Sequence, residues 1–119
     1  MMEKLIAWVE IPALDFDRAV SFYNSVLKLE LKKQDFGTEK MACFPTGEGA
    51  ISFAPGFNPS ENGLLVSFTA PDTINETVSR IEKLGGRTII PRTKIEAEGM
   101  DYFAVCIDSE GNKIGLYGK

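Results

Sequence analysis

The chemistry open to this chain is bounded first by a missing residue type: its 119 residues include no histidine. That removes the commonest transition-metal ligand and the side chain most used for acid–base catalysis near neutral pH. Two cysteines, Cys43 and Cys106, are present. A nucleophilic thiol needs a nearby base or positive field, and no Cys–His pair can form, so both read as small buried hydrophobes. Their separation of 63 residues makes them candidate equivalents within an internal repeat. Gly47-Glu48-Gly49 and Gly111-Asn112 read as hairpin turns, because neither leads into a helix as a phosphate cradle does. The carboxylate of interest is Glu10. Strand alternation sets Ile6, Trp8 and Glu10 on one face and Ala7, Val9 and Ile11 on the other. A carboxylate facing a cavity could serve as a general base or bind an amine or hydroxyl; pairing with a nearby Arg or Lys, or a place at the wet end of its strand, is the simpler alternative. Trp8, Phe44, Phe53, Phe68, Tyr102 and Phe103 all fall on predicted strands. Lining a site for a planar or apolar ligand and ordinary core packing are both open to them.

The elements that must position these residues come in two sets. One helix starts at Asp15, whose side chain can cap the first turn, and Phe16, Ala19, Val20, Tyr23, Val26 and Leu27 form its apolar stripe. A second starts at Thr73 with Glu76 three residues on, a capping-box pattern. Ile74, Val78, Ile81 and Leu84 are its stripe, and Gly85-Gly86 its stop. The stripes superpose at an offset of 58 residues, Phe16 on Ile74 and Val20 on Val78. An apolar strand precedes each helix (Leu5–Ile11 and Leu64–Thr69), and three strands follow each. These are Leu29–Phe36, Lys40–Phe44 and Ala50–Ala54, then Arg87–Ile90, Tyr102–Ile107 and Lys113–Tyr117. The prediction is βαβββ twice, module one at about 1–57 and module two at about 62–119. Halves this small must share a core or pair with another chain.

Composition narrows the function classes. Thirteen basic and seventeen acidic residues give a net charge of −4, which offers little to a phosphate backbone and argues against nucleic acid as a partner. Apolar residues at 44% and charged residues at 25% fit a globular domain rather than a disordered chain. No apolar run reaches the ~18 residues of a membrane span, and Met1–Ile6 lacks a signal peptide's apolar core. With two cysteines only, the reading is a cytoplasmic protein with no membrane partner.

Three stretches then carry a resemblance: Val9–Leu31 (VEIPALDFDRAVSFYNSVLKLEL), Val78–Pro91 (VSRIEKLGGRTIIP) and Asp108–Gly118 (DSEGNKIGLYG). In this order and spacing they are similar to the vicinal oxygen chelate superfamily of glyoxalase I, bleomycin-resistance proteins and extradiol dioxygenases. The resemblance implies an α+β fold of two tandem βαβββ modules whose curved mixed sheets form a cup. It implies a small-molecule ligand, and a homodimer whose cup is sometimes built from two chains. The family's metal ligands would fall at Trp8, Ser52, Val66 and Gly115, none a strong donor, so no metal and no cofactor are expected. Trp8 and Glu10 would face the cup, and Met100 lies in a loop that often approaches the ligand in this superfamily. The candidate ligand-binding set is thus Trp8, Glu10, Phe44, Ser52, Phe53, Phe68, Met100, Tyr102 and Phe103, with no catalytic residue assigned. The function expected is metal-independent binding of a small apolar or aromatic molecule. Two alternatives stand beside it: a lyase or isomerase related to lactoylglutathione lyase acting on a small carbonyl compound, and an accessory dimerisation domain.

Overall fold

The computed structural model describes residues 5–119; the first four residues, used above in the reading of the N-terminus, lie outside them. The order is β1 (Val9–Pro12), α1 (Phe16–Leu27), β2 (Lys33–Asp35), β3 (Lys40–Cys43) and β4 (Gly49–Phe53). It continues with β5 (Val66–Thr69), α2 (Ile74–Lys83), β6 (Arg87–Lys94), β7 (Tyr102–Ile107) and β8 (Lys113–Gly118). This is the twice-repeated pattern. Each half makes one four-stranded mixed sheet, β1-β4-β3-β2 and β5-β8-β7-β6, with the first pair parallel and the others antiparallel.

Both helices start where their caps predict. The Asp15 carboxylate accepts from the Arg18 N–H at 3.0 Å, and the Thr73 hydroxyl accepts from the Glu76 N–H at 3.1 Å. The Glu76 carboxylate meets the Thr73 hydroxyl at 3.0 Å. α1 ends without a glycine: Lys28 itself takes the left-handed conformation at φ 56°. Leu84, predicted within the apolar stripe of α2, is instead its exposed C-cap.

The register decides which face each strand residue occupies. Ile51 pairs with both Ile11 and Ala42, and in the second half Leu116 pairs with both Phe68 and Ala104. These six pack with Val20, Tyr23, Ile74 and Ile81 of the helices into one core cluster, so the two modules share a core. The opposite faces carry Glu10, Met41, Cys43, Ala50 and Ser52 in one sheet, and Ser67, Phe103, Val105, Gly115 and Tyr117 in the other. This overturns the expected equivalence of the cysteines. Cys106 is buried against the helices, while Cys43 is exposed on the opposite face, where its structural counterpart is Val105. Burial pushes the Cys106 thiol up to about 11, which leaves it inert at neutral pH.

Polar contacts join the modules at two places. At the first, Glu110, from the turn between β7 and β8, accepts from the N–H groups of Leu14 (3.0 Å) and Asp15 (2.8 Å) and from the Arg18 guanidinium (2.7 Å). Beside it the Tyr23 hydroxyl donates to Asp108 at 2.6 Å, and the Asn112 amide donates to the Pro12 carbonyl at 2.8 Å. At the second, the Arg80 guanidinium donates to the Val26 carbonyl at 3.0 Å and to Asp72 at 2.8 Å. No backbone hydrogen bond joins β1 to β5 among the described residues.

Candidate functional site

β1 and β5 are edge strands, each with one side open, and a groove of about 750 Å³ runs between them. Its apolar wall includes Ile6, Trp8, Phe57, Leu64 and Leu65, and Glu10 and Lys113 supply its charges. Trp8 is 42% exposed and Leu64 94%. Trp8 precedes β1; within the strand Glu10 reaches Ser52 on the outward face and Ile11 is buried in the core, while Val9, Ile11 and Pro12 also border the groove. Among the described residues Glu10 pairs with no cation. Its Oε1 accepts from the Ser52 hydroxyl at 2.7 Å, and Ser52 is 3% exposed, so a buried donor fixes one carboxylate oxygen.

The nine candidate residues do not converge on one place. Trp8 and Glu10 share the groove, and Ser52 is joined to it through its bond to Glu10. Phe103 lies on the corresponding face of the second sheet, paired with Tyr117 and Thr93. Met100 is in the β6–β7 loop, its sulfur 4.0 Å from the Tyr117 hydroxyl. Phe44 and Phe68 are on the helix side, edge to face with centroids 5.9 Å apart, and line a smaller, 340 Å³ apolar hollow with Val9, Leu27 and Leu29. Phe53 is also on the helix side, beneath the Lys40 ammonium at 5.8 Å. Tyr102 faces opposite to Phe103, with the Arg92 guanidinium 3.4 Å above its ring.

Val66, one of the four expected metal positions, points toward the core with Ile114. Ser67 takes the outward place, opposite Gly115. Sequence reasoning missed Ser67; counting alternation back from Phe68, taken as a core residue, would have found it. A Cβ added to Gly115 would lie 2.3 Å from the Ser67 Oγ. The space that a glutamate side chain would need at this position is therefore held by a serine from the adjacent strand.

This architecture has known counterparts. Residues 5–116 match the model of the Glyoxalase/Bleomycin resistance protein/Dioxygenase superfamily, and the chain belongs to that superfamily. No curated protein matches it. Among solved structures it is similar to a glyoxalase/bleomycin resistance protein/dioxygenase family enzyme from Burkholderia phytofirmans PsJN, at 18% identity over 93% of this chain and 95% of that one, TM-score 0.68. It is similar to the fosfomycin resistance protein FosX from Listeria monocytogenes, determined with Mn(II) and sulfate, at 16% identity over 99% and 91%, TM-score 0.69. It is also similar to glyoxalase I from Zea mays, at 19% identity over 93% of this chain but 44% of that one, TM-score 0.65. At these identities the likeness shows the fold.

The fold family implies a divalent metal, and the donor set here does not fit one. The outward faces of β1, β4, β5 and β8 offer the Glu10 carboxylate, the Ser52, Ser67 and Thr69 hydroxyls and the Tyr117 phenol. A hard or borderline divalent ion is held by several imidazoles or carboxylates converging from different strands. Among the described residues, no three His, Cys, Asp or Glu side chains cluster to hold an ion. No helix of the described residues is long and apolar enough to cross a membrane.

Proposed function

We propose that this chain is a metal-independent binding protein for a small apolar or aromatic molecule, held in a cup that a second copy of the chain completes. One observation carries the reading. The positions that would grip a metal hold instead Trp8, Ser52 bonded to the Glu10 carboxylate, Val66 turned to the core, and Gly115, whose side-chain space is taken by Ser67. Such a surface suits an aromatic face against Trp8 and a hydrogen-bond donor against the second oxygen of Glu10. Glyoxalase-type lyase chemistry would ask for Lewis-acid stabilisation of an enediolate, which this donor set does not support.

The second copy is argued from the edges. The outer edge strands are guarded: β2 is Lys-Gln-Asp, fully exposed, and β6 carries Pro91 and two irregularities in its pairing. Of the inner edges, β5 carries neither charge nor proline, whereas β1 has Glu10 and, at its last position, Pro12; both strands are flanked by exposed Trp8, Leu64 and Leu65. We read them as built to pair with β5 and β1 of a partner copy. A cytoplasmic location fits two cysteines that face opposite sides of their sheets and form no disulfide.

The test is a thermal-shift screen of chelator-treated protein against small aromatic and carbonyl compounds. A ligand at a hundred times its Kd adds about 2.7 kcal/mol, a shift of several degrees. Glu10→Gln is expected to weaken the hit about tenfold or more without lowering the unliganded Tm, as loss of a charged hydrogen bond requires. Glyoxalase turnover with stoichiometric bound metal would overturn the reading.

A further inference from the structure

The two polar junctions between the modules act on the same element, at its opposite ends. Glu110 lies at the N-terminus of α1 with a side chain 0% exposed. It takes hydrogen bonds from Leu14 and Asp15, the two residues that lead into the helix. Arg80 lies at the C-terminus, on the Val26 carbonyl, in the last turn where orphan acceptors collect. Lys28, the left-handed residue closing α1, pairs with the same Asp72 that holds Arg80. The second module thus presents an anion to the positive end of the α1 dipole and a cation to the negative end. Both contacts bridge residues more than fifty positions apart in the chain.

We infer that this two-ended grip is the device that fixes one module against the other, and that its N-terminal end also holds β1 in place. The Asn112 side chain ties the Pro12 carbonyl, the last residue of β1, to Asp108, and its other end accepts from the Ser60 N–H of the connecting segment. β1 has a neighbour on one side only. Its hold on Trp8 and Glu10 comes from β4 along its length and from the second module at its end. The module arrangement and the placement of Trp8 and Glu10 are therefore coupled. The consequence for ligand binding rests on the function proposed above; the grip itself does not, and it is tested without a ligand.

Amide hydrogen exchange of the full-length protein reads it directly. Leu14 and Asp15 are exposed residues in a loop, and without the grip their N–H groups would exchange as open loop amides. In the wild-type protein they are expected to exchange at least about a hundredfold slower than unprotected amides. In Glu110→Gln, exchange at Leu14, Asp15 and the β1 amides rises about tenfold or more, with β7 and β8 unchanged, and emission from Trp8, the single tryptophan, shifts to the red. Arg80→Met raises exchange at the C-terminal turn of α1 and leaves β1 as it was. Asn112→Ser serves if Glu110→Gln does not fold. Unprotected Leu14 and Asp15 in the wild type would overturn the inference, as would variants that loosen every element equally, or a folded Glu110→Gln or Asn112→Ser protein in which β1 is unaltered.

Discussion

At Gly115 a single missing side chain governs what the site can be. β8 runs parallel to β5, and the Ser67 side chain leans into the space where a Cβ would stand. Gly115→Ala is accordingly expected to lower stability by about 1–3 kcal/mol through overpacking. Ser67→Ala in the same chain should recover part of that loss, because the clashing Oγ is gone; urea unfolding of the two single variants and the double variant measures it. An equal loss with and without Ser67→Ala would mean that the strain lies in the backbone instead. At this scale the sequence was half legible. Glu10 could be assigned a face because β1 alternates, with Ile11 turned to the core. The faces of Phe44, Phe53 and Tyr102 could not, since register between strands is set by partners distant in the chain. Apolar residues stand on both faces of β7, so alternation is blurred there.

At the scale of elements, capping chemistry made the helices readable. Asp15 and Thr73 mark their starts, and the superposed stripes reveal the repeat that both sheets then follow. β6 runs past its expected end at Ile90 because it is an outer edge strand, where the missing N–H of Pro91 need not find a partner and the irregular pairing absorbs the misfit. The grip on α1 left no trace in local sequence, because Glu110 and Arg80 act across the module boundary. It does leave a pH signature. Burial works to raise the Glu110 carboxyl, but the Arg18 guanidinium, the Asp15 N–H and the Ser109 hydroxyl together hold it below its usual value. Arg80, then Thr77 and Lys28, hold Asp72 well below its own against a smaller opposing effect of burial. A carboxyl with a lowered folded-state pKa contributes stability that is fully present above its unfolded value and is lost as pH falls through the folded one. Stability should therefore be level near neutrality and decline from the ordinary carboxylate range, about pH 4, downward. Asp72→Asn is expected to be less stable than wild type at pH 7 and to show a shallower decline into acid, measured as urea midpoint against pH. Parallel profiles for the two proteins would remove Asp72 from the account.

For the whole molecule, the decisive feature is the apolar groove between the inner edges β1 and β5, of which β5 carries neither charge nor proline. A chain that kept β1 and β5 unpaired in solution would expose unpaired backbone groups beside Trp8, Leu64 and Leu65, a hazard that the charges of β2 and the proline of β6 avoid on the other side. Sedimentation equilibrium is expected to give a dimer. Leu65→Lys, which places an unpaired charge in the apolar groove wall, should weaken that dimer at least about a hundredfold while the core-packed modules stay folded. A wild-type monomer would leave the open edges without the role assigned to them. Metal-free binding, as proposed for the cup, is measured by titration calorimetry of the ligand found in the screen, on protein freed of metal by chelation and on the same protein supplied with Mn(II), Ni(II) or Zn(II). One ligand per protomer is expected to bind with the same Kd in every case, with no stoichiometric metal retained. Binding that vanishes on chelation and returns with a divalent ion would overturn the metal-independent reading.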